Sequence, residues 1–274
     1  MNKNLFLAAG LMALLFGCDA RNTSLTQTQT QPTSNLPPII YNLEIPILMY
    51  HHIGKVPSDK KYDAVREDLT VSPENLETQL KWLKDQGYTS ISMAETIVFA
   101  RAKGEFPAWS SFALPKKPII ISLDDGYEDA YTNALPLLRK YNFSGSFAVI
   151  TGKVGTPEYM TWEQIKILVK NGMEILSHTV SHPDLRLISD KKLAEELADS
   201  KKTLEDNLGN EIYALVYPSG QVDNRVSAAA DAADYSGART TATGKVTKNS
   251  PPYELPVVRI HGGTTLEHFV ELLR

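Results

Sequence analysis

Short apolar runs alternate with amphipathic stretches along most of this chain. Ile45-Pro46-Ile47-Leu48-Met49-Tyr50 is the first run and predicts a buried strand that ends at His51-His52. The segment 55–67 is polar and reads as a loop. Ser72-Pro73-Glu74 opens a helix, with Ser as N-cap and Pro in the first turn. Leu76, Leu80 and Leu83 give that helix an apolar stripe, and Gly87 ends it. Further strands are predicted at 88–92, 118–123, 146–150, 173–176, 212–216 and 237–241. Helices are predicted at 94–103 and 130–141, after the capping box Thr161-Trp162-Glu163-Gln164, and at 189–208, 222–233 and 266–273. The segment 104–117 reads as a loop that carries Trp109. Strands alternating with helices imply parallel strands covered by helices.

The start of the chain departs from this pattern. Lys3 is followed by an apolar stretch from Leu5 to Phe16 and then by Gly17-Cys18. A charged start and an apolar segment too short to span a bilayer comfortably predict an export signal. Leu15-Phe16-Gly17-Cys18 resembles the lipobox of bacterial lipoproteins. Residues 1–17 are therefore expected to be a lipoprotein signal peptide, and Cys18 to carry a lipid that anchors the exported protein to a membrane of the cell envelope. The plainer alternatives are an ordinary signal peptide with an incidental Cys, or an N-terminal core helix. The tract from Asp19 to Pro38 is rich in Thr, Gln, Asn, Ser and Pro. It holds too few apolar groups to offset its ordering entropy, so 18–44 reads as a flexible tether ahead of a catalytic domain at 45–274.

Composition adds limits rather than a function. The 274 residues are 42% hydrophobic and 22% charged, enough for one large core. A net charge of −4 with no basic run gives nucleic acid no footing. Cys18 is the only cysteine, so no disulfide forms within the chain and stability rests on packing.

Chemically suggestive residues recur just after predicted strands. Asp124-Asp125-Gly126 follows one, and His178-Thr179-Val180-Ser181-His182 follows another. One Asp with two His is a ligand set for a divalent metal ion and leaves the other Asp as a base. At i,i+4 spacing on a helical turn, both imidazoles would point to one centre, with Thr179 and Ser181 as groups that orient the rings. Two adjacent ionised carboxylates at a buried strand end repel each other and need a cation or a shared proton. Each motif alone has a plainer reading. Asp-Asp-Gly also suits a turn that bonds its own backbone, and an isolated His pair is often a surface feature. In a β/α barrel, however, strand ends share one rim, where active sites gather.

Taken together, these segments resemble the polysaccharide deacetylases with NodB homology, carbohydrate esterase family 4. Ser122-Leu123-Asp124-Asp125-Gly126 resembles the first motif of that family and His178 to His182 the second. Val216-Tyr217-Pro218-Ser219-Gly220 resembles the third more loosely. The resemblance spans roughly 45–274. It implies a single-domain, distorted (β/α)7 barrel that hydrolyses N-acetyl groups on poly-N-acetylglucosamine, peptidoglycan or chitin-like polymers. Carried over by position, Asp125, His178 and His182 hold the metal and Asp124 is the general base. Tyr217, Pro218, Ser219 and Gly220 line the substrate, with a backbone N–H near Ser219 facing the oxyanion. Zinc is the expected ion, and cobalt, nickel or iron suit the same donors.

Two departures matter. The third motif often carries an Arg that orients the base and an aromatic residue after the Pro, and here Val216 and Ser219 stand instead. The usual late Leu-x-His, source of the general acid, is matched only by Arg259-Ile260-His261. Leu48-Met49-Tyr50-His51-His52 resembles the start of the poly-N-acetylglucosamine deacetylase branch, where strand order is permuted and an early His is the acid. His51 is therefore the expected general acid and His261 the alternative, with His52 pointing the other way. Trp109, Trp162 and Tyr127 are candidates for stacking on sugar rings or for ordinary packing. The same centre also suits an O-acetyl glycan esterase or another amidase. A non-catalytic glycan-binding lipoprotein is the third reading.

Overall fold

Apolar runs that are buried on both faces become parallel strands, because helices cover what the barrel interior does not. The computed structural model describes residues 37–56, 58, 63–107 and 110–274. The segment 1–17 expected to be a signal peptide, Cys18, most of the segment expected to be a tether, and Trp109 lie outside the described residues. Seven strands form the ring: β1 (Ile47–Tyr50), β2 (Pro118–Leu123), β3 (Ser146–Val149), β4 (Glu174–Ser177), β5 (Ala214–Val216), β6 (Gly237–Thr243) and β7 (Leu255–Arg259). Each pairs in parallel with the next in chain order. β7 returns to pair with β1, Val258 opposite Leu48, and the barrel closes. The (β/α)7 barrel implied by the motifs is the fold.

The membership of the ring differs from the expectation in one place. Residues 255–259 carry no predicted strand, and Pro256 contributes no N–H to a ladder. They complete the ring beside a register irregularity in β6 between Arg239 and Thr243. The run expected at 88–92 forms only the short strand Thr89–Ser90, which pairs with the start of β2. The polar stretch read as a loop through 67 contains the helix Ala64–Leu69, capped by Asp63, whose carboxylate accepts from the amides of Val65 and Arg66. Ile39–Ile40, inside the segment 18–44 expected to be a flexible tether, pairs antiparallel with Glu105–Phe106. Among the described residues, no helix is long and apolar enough to cross a membrane.

Strand alternation sorts the core into two layers. Ile47, Met49, Ile120, Ala148, Leu176, Ala214, Val216, Leu255 and Val257 pack in one cluster inside the ring. Their neighbours Leu48, Tyr50, Ile119, Ile121, Leu123, Phe147, Val149, Ile175, Leu215 and Val258 pack in a second cluster, against the helices. The helix Pro73–Asp85, for example, buries Leu76, Leu80 and Leu83 there. Continuing four of these inner series at the same period of two leads to His51, Asp124 (by way of Ser122), His178 and Arg259 at the C-terminal rim. The same periodicity that builds the core therefore gathers the polar side chains.

Candidate metal centre

Ile120, Ser122 and Asp124 share the inner face of β2, so the Asp124 side chain enters the barrel. The Asp124 amide donates to Tyr50 O at 3.0 Å, which fixes the rim against β1. A strand continued through Asp125 would send that side chain outward. Instead φ is 72° at Asp125 and 83° at Gly126, and the chain turns back over the rim. Asp125 Oδ1 then lies 3.2 Å from His178 Nε2 and 3.7 Å from His182 Nε2.

His178 follows β4 on its inner face. Its Nδ1 meets Val216 O at 2.7 Å, so Nδ1–H donates to the carbonyl and Nε2 stays free to ligate. His182 arrives by a different route from the one expected. Residues 178–182 are not a helical turn. They form an irregular loop in which Thr179 has φ 66° and His182 has φ 60°. Thr179 Oγ1 accepts the His182 amide at 3.0 Å, so it braces the backbone rather than a ring. Ser181 turns away from both rings and donates its hydroxyl to Glu196.

The three donor atoms lie within 4.8 Å of one another. Two ligands at zinc bond lengths in a tetrahedron stand about 3.3 Å apart, so the Asp125 contacts match the spacing a small divalent ion imposes. One carboxylate and two imidazoles, each presenting one atom, fit such an ion. Burial disfavours the charged form of Asp125, but the hydrogen bond and charge of His178, and the charges of His51 and His182, hold its carboxyl far below the usual range.

Asp124 is 3% exposed and stands beside this trio without joining it. Its Oδ1 accepts from the guanidinium of Arg239, and Ser122 Oγ lies at 3.4 Å. Arg239 also reaches Ser122 Oγ at 3.1 Å and is fully buried. Burial alone would raise the Asp124 carboxyl, but the charges of Arg239, His51 and His178 and the hydrogen bond from Arg239 together outweigh it and hold the carboxyl below its ordinary value. Arg239 was not anticipated. Its signal was an Arg inside the small-residue run Gly237-Ala238-Arg239-Thr240, since a charge on a strand buried on both faces requires a buried counter-ion.

A cavity of about 230 Å³ opens over the centre, lined by His51, Asp124, Asp125, His178 and His182, with Tyr217, Ser219, Thr241, Leu69 and Arg259 around it. Of the third motif, only Tyr217 and Ser219 reach this cavity. Pro218 is buried in the turn. Gly220 has φ 70°, and a Cβ there would stand 2.2 Å from Thr241 Oγ1, so it lets the turn approach β6 and does not line the cavity. The Tyr217 amide donates to Arg239 O and the Gly220 amide to Tyr217 O, and Pro218 has no N–H. Ser219 is the residue of this turn left to offer an amide.

His51 lines the cavity. Burial lowers it from the ordinary histidine value, against the pull of Asp124 and Asp125. His261 lies on the rim outside the lining, with Nδ1 2.8 Å from Asp68 Oδ1. His52 faces the helices, as alternation requires. It is 2% exposed, 2.8 Å from Asp129 Oδ2 and stacked on Tyr127 with ring centroids 3.6 Å apart. Tyr127 thus supports the turn after Asp125. Trp162 packs part-buried against the helix-side core.

Comparison with known proteins gives the family. The polysaccharide deacetylase family description matches residues 113–238. The Bacillus subtilis (strain 168) protein YxkH, named for the polysaccharide deacetylases, is 30% identical over 220 residues, covering 80% of this chain and 72% of its own. The poly-beta-1,6-N-acetyl-D-glucosamine N-deacetylase of Staphylococcus aureus (strain NCTC 8325 / PS 47) is 26% identical over 219 residues, covering 75% and 72%. The Streptococcus pyogenes deacetylase PplD, solved in complex with acetate, superposes with a TM-score of 0.76 at 32% identity over 85% of this chain and 100% of that one. The chain belongs to the polysaccharide deacetylase family, the NodB-homology hydrolases of carbohydrate esterase family 4.

Proposed function

We propose that the protein is a metal-dependent N-deacetylase of N-acetylglucosamine-containing polysaccharide. The observation that carries this reading is the pairing of two unlike carboxylates. Asp125 converges with two imidazoles, while its neighbour Asp124 is held ionised by Arg239 beside them. A protein that only bound glycan would have no use for a buried base next to a ligand trio.

A divalent ion held by Asp125, His178 and His182, zinc before cobalt, nickel or iron, would supply Lewis acidity toward the acetamide carbonyl. The residues around it divide the proton work. Asp124 takes a proton from the attacking water as oxygen bonds to the carbonyl carbon. Arg239 and Ser122 keep that carboxylate aimed into the cavity. The Ser219 amide meets the charge that develops on the carbonyl oxygen. His51, once protonated, gives that proton to the departing nitrogen as the C–N bond breaks, leaving acetate and a free amine.

The likeness to the Staphylococcus aureus enzyme and the early His51 favour poly-β-1,6-N-acetylglucosamine over peptidoglycan or chitin-like chains as substrate. The lipobox-like Leu15 to Cys18 supports export and lipid anchoring through Cys18, with 18–44 as the tether. Radiolabelled palmitate incorporation that is lost in Cys18→Ala tests the anchor. Acetate release from N-acetylated and O-acetylated glycans, side by side with zinc or cobalt, tests the reaction. Release from the N-acetylated polymer is expected, and release confined to O-acetyl esters would make the protein an esterase.

A further inference from the structure

Glu196 sits within the helix Asp190–Leu208 and is fully buried, yet it touches no metal-ligating side chain. Three hydrogen bonds tie it to the loop between the two histidines. Oε2 accepts the amides of Val180 at 2.9 Å and Ser181 at 2.8 Å, and Oε1 accepts the Ser181 hydroxyl at 2.6 Å. The ammonium of Lys192, one turn earlier, lies 3.2 Å from Oε1. A carboxylate removed from water in this way is retained only where charge-assisted hydrogen bonds replace its hydration.

The loop it grips needs holding. Thr179 and His182 both have left-handed φ, 66° and 60°, which side-chain-bearing residues adopt at a cost. The opposite side is pinned by the short turn that follows β3, Thr151–Lys153, where the Thr151 amide donates to Thr179 O and the Gly152 amide to Val180 O. A Cβ at Gly152 would stand 2.6 Å from Val180 O, so that approach is as close as glycine allows. Between these clamps, His182 is the ligand whose position depends on the loop, and His178 is fixed separately by Val216 O.

We propose that Glu196 is a positioning residue. It holds 179–182 in the conformation that brings His182 to the ion, and so sets metal affinity from outside the ligand set. The inference rests on the metal-centre reading above.

The test is titration of the full metal-free chain with Co²⁺ at 25 °C, following affinity and the visible Co²⁺ spectrum, with thermal midpoints of the metal-free forms measured in parallel. Glu196→Asp keeps the charge but shortens the reach by one methylene, and about 10–100-fold weaker binding with an altered spectrum is expected. Glu196→Gln should restore wild-type affinity. Its amide oxygen still accepts both backbone N–H groups, and its NH₂ donates to a Ser181 hydroxyl turned to accept. Ser181→Ala, at an exposed position, removes one bond and should weaken binding several-fold without a folding defect. Wild-type affinity in Glu196→Asp with only the metal-free midpoint lowered would make Glu196 a structural residue and overturn the inference. If Glu196→Asp does not fold, unchanged affinity in Ser181→Ala overturns it equally. A wild-type chain that takes up no Co²⁺ removes the metal centre itself, and this inference with it.

Discussion

The guanidinium of Arg239, on β6, donates to Oδ1 of Asp124, at the end of β2, across the barrel interior. The two residues are 115 positions apart in sequence. This contact supplies what the third motif lacks. Val216 stands where the resembled third motif often has an Arg, and here the charge comes from the following strand.

Removing that charge should be costly. Arg239→Met leaves Asp124 ionised at 3% exposure with Ser122 as its remaining partner. Breaking a buried pair from one side typically costs about 3–5 kcal/mol. Urea unfolding of the variant checks this, and Arg239→Met/Asp124→Asn should recover part of the loss, because the stranded carboxylate is then neutral. A loss below about 1 kcal/mol in the single variant would show that the pair does not hold the two strands together.

Stability of the metal-free protein should fall as pH drops through the histidine range. Burial lowers His51, and burial with the nearby charge of His178 lowers His182, both from an ordinary value of 6.5. Each is therefore neutral in the fold at a pH where the unfolded chain takes up a proton. Their contribution is full above 6.5 and is lost as pH falls toward the lower folded values, by at most about 1.4 kcal/mol per pH unit per group. Asp124 and Asp125 are shifted down from 3.8, so they act only below this window. Thermal midpoints at pH 7.5 and 5.5 should differ more in the wild type than in His51→Ala. An equal difference in the two proteins would mean that His51 titrates normally.

The two candidate acids should separate cleanly. His51→Ala should lower turnover by about 10²–10⁴-fold while the chain keeps its ion, the range expected for a lost proton donor. His261→Ala should stay within a few-fold of wild type, because its ring is bonded to Asp68 on the rim and lies outside the cavity lining. Acetate release with metal content measured on the same samples decides it, and the reverse result would move the acid to His261.

The parts legible in the sequence were those written in local pattern. The run 118–123 and the Asp pair after it, the helix opened by Ser72-Pro73, and the His-x-x-x-His segment each carry their signal within a few residues. The strand Leu255–Arg259 was hidden because Pro256 contradicts strand chemistry locally, and only pairing with β1 and β6 compensates. Arg239 and Glu196 were missed for the converse reason. Their function is set entirely by what the barrel brings opposite them, Asp124 in one case and the 180–181 backbone in the other. The helical turn expected at 178–182 failed because i,i+4 spacing is necessary on a helix but not diagnostic of one. A left-handed residue at each end of the loop brings the same two rings together.

Zinc-loaded Asp124→Asn, assayed for bound metal and for acetate released from poly-β-1,6-N-acetylglucosamine, tests the central claim most directly. The predicted result is one ion per chain, as in the wild type, with turnover reduced by at least about 10²-fold. Acetate release at the wild-type rate in Asp124→Asn, or release that survives full removal of metal by a chelator, would contradict the division of labour between the two neighbouring carboxylates.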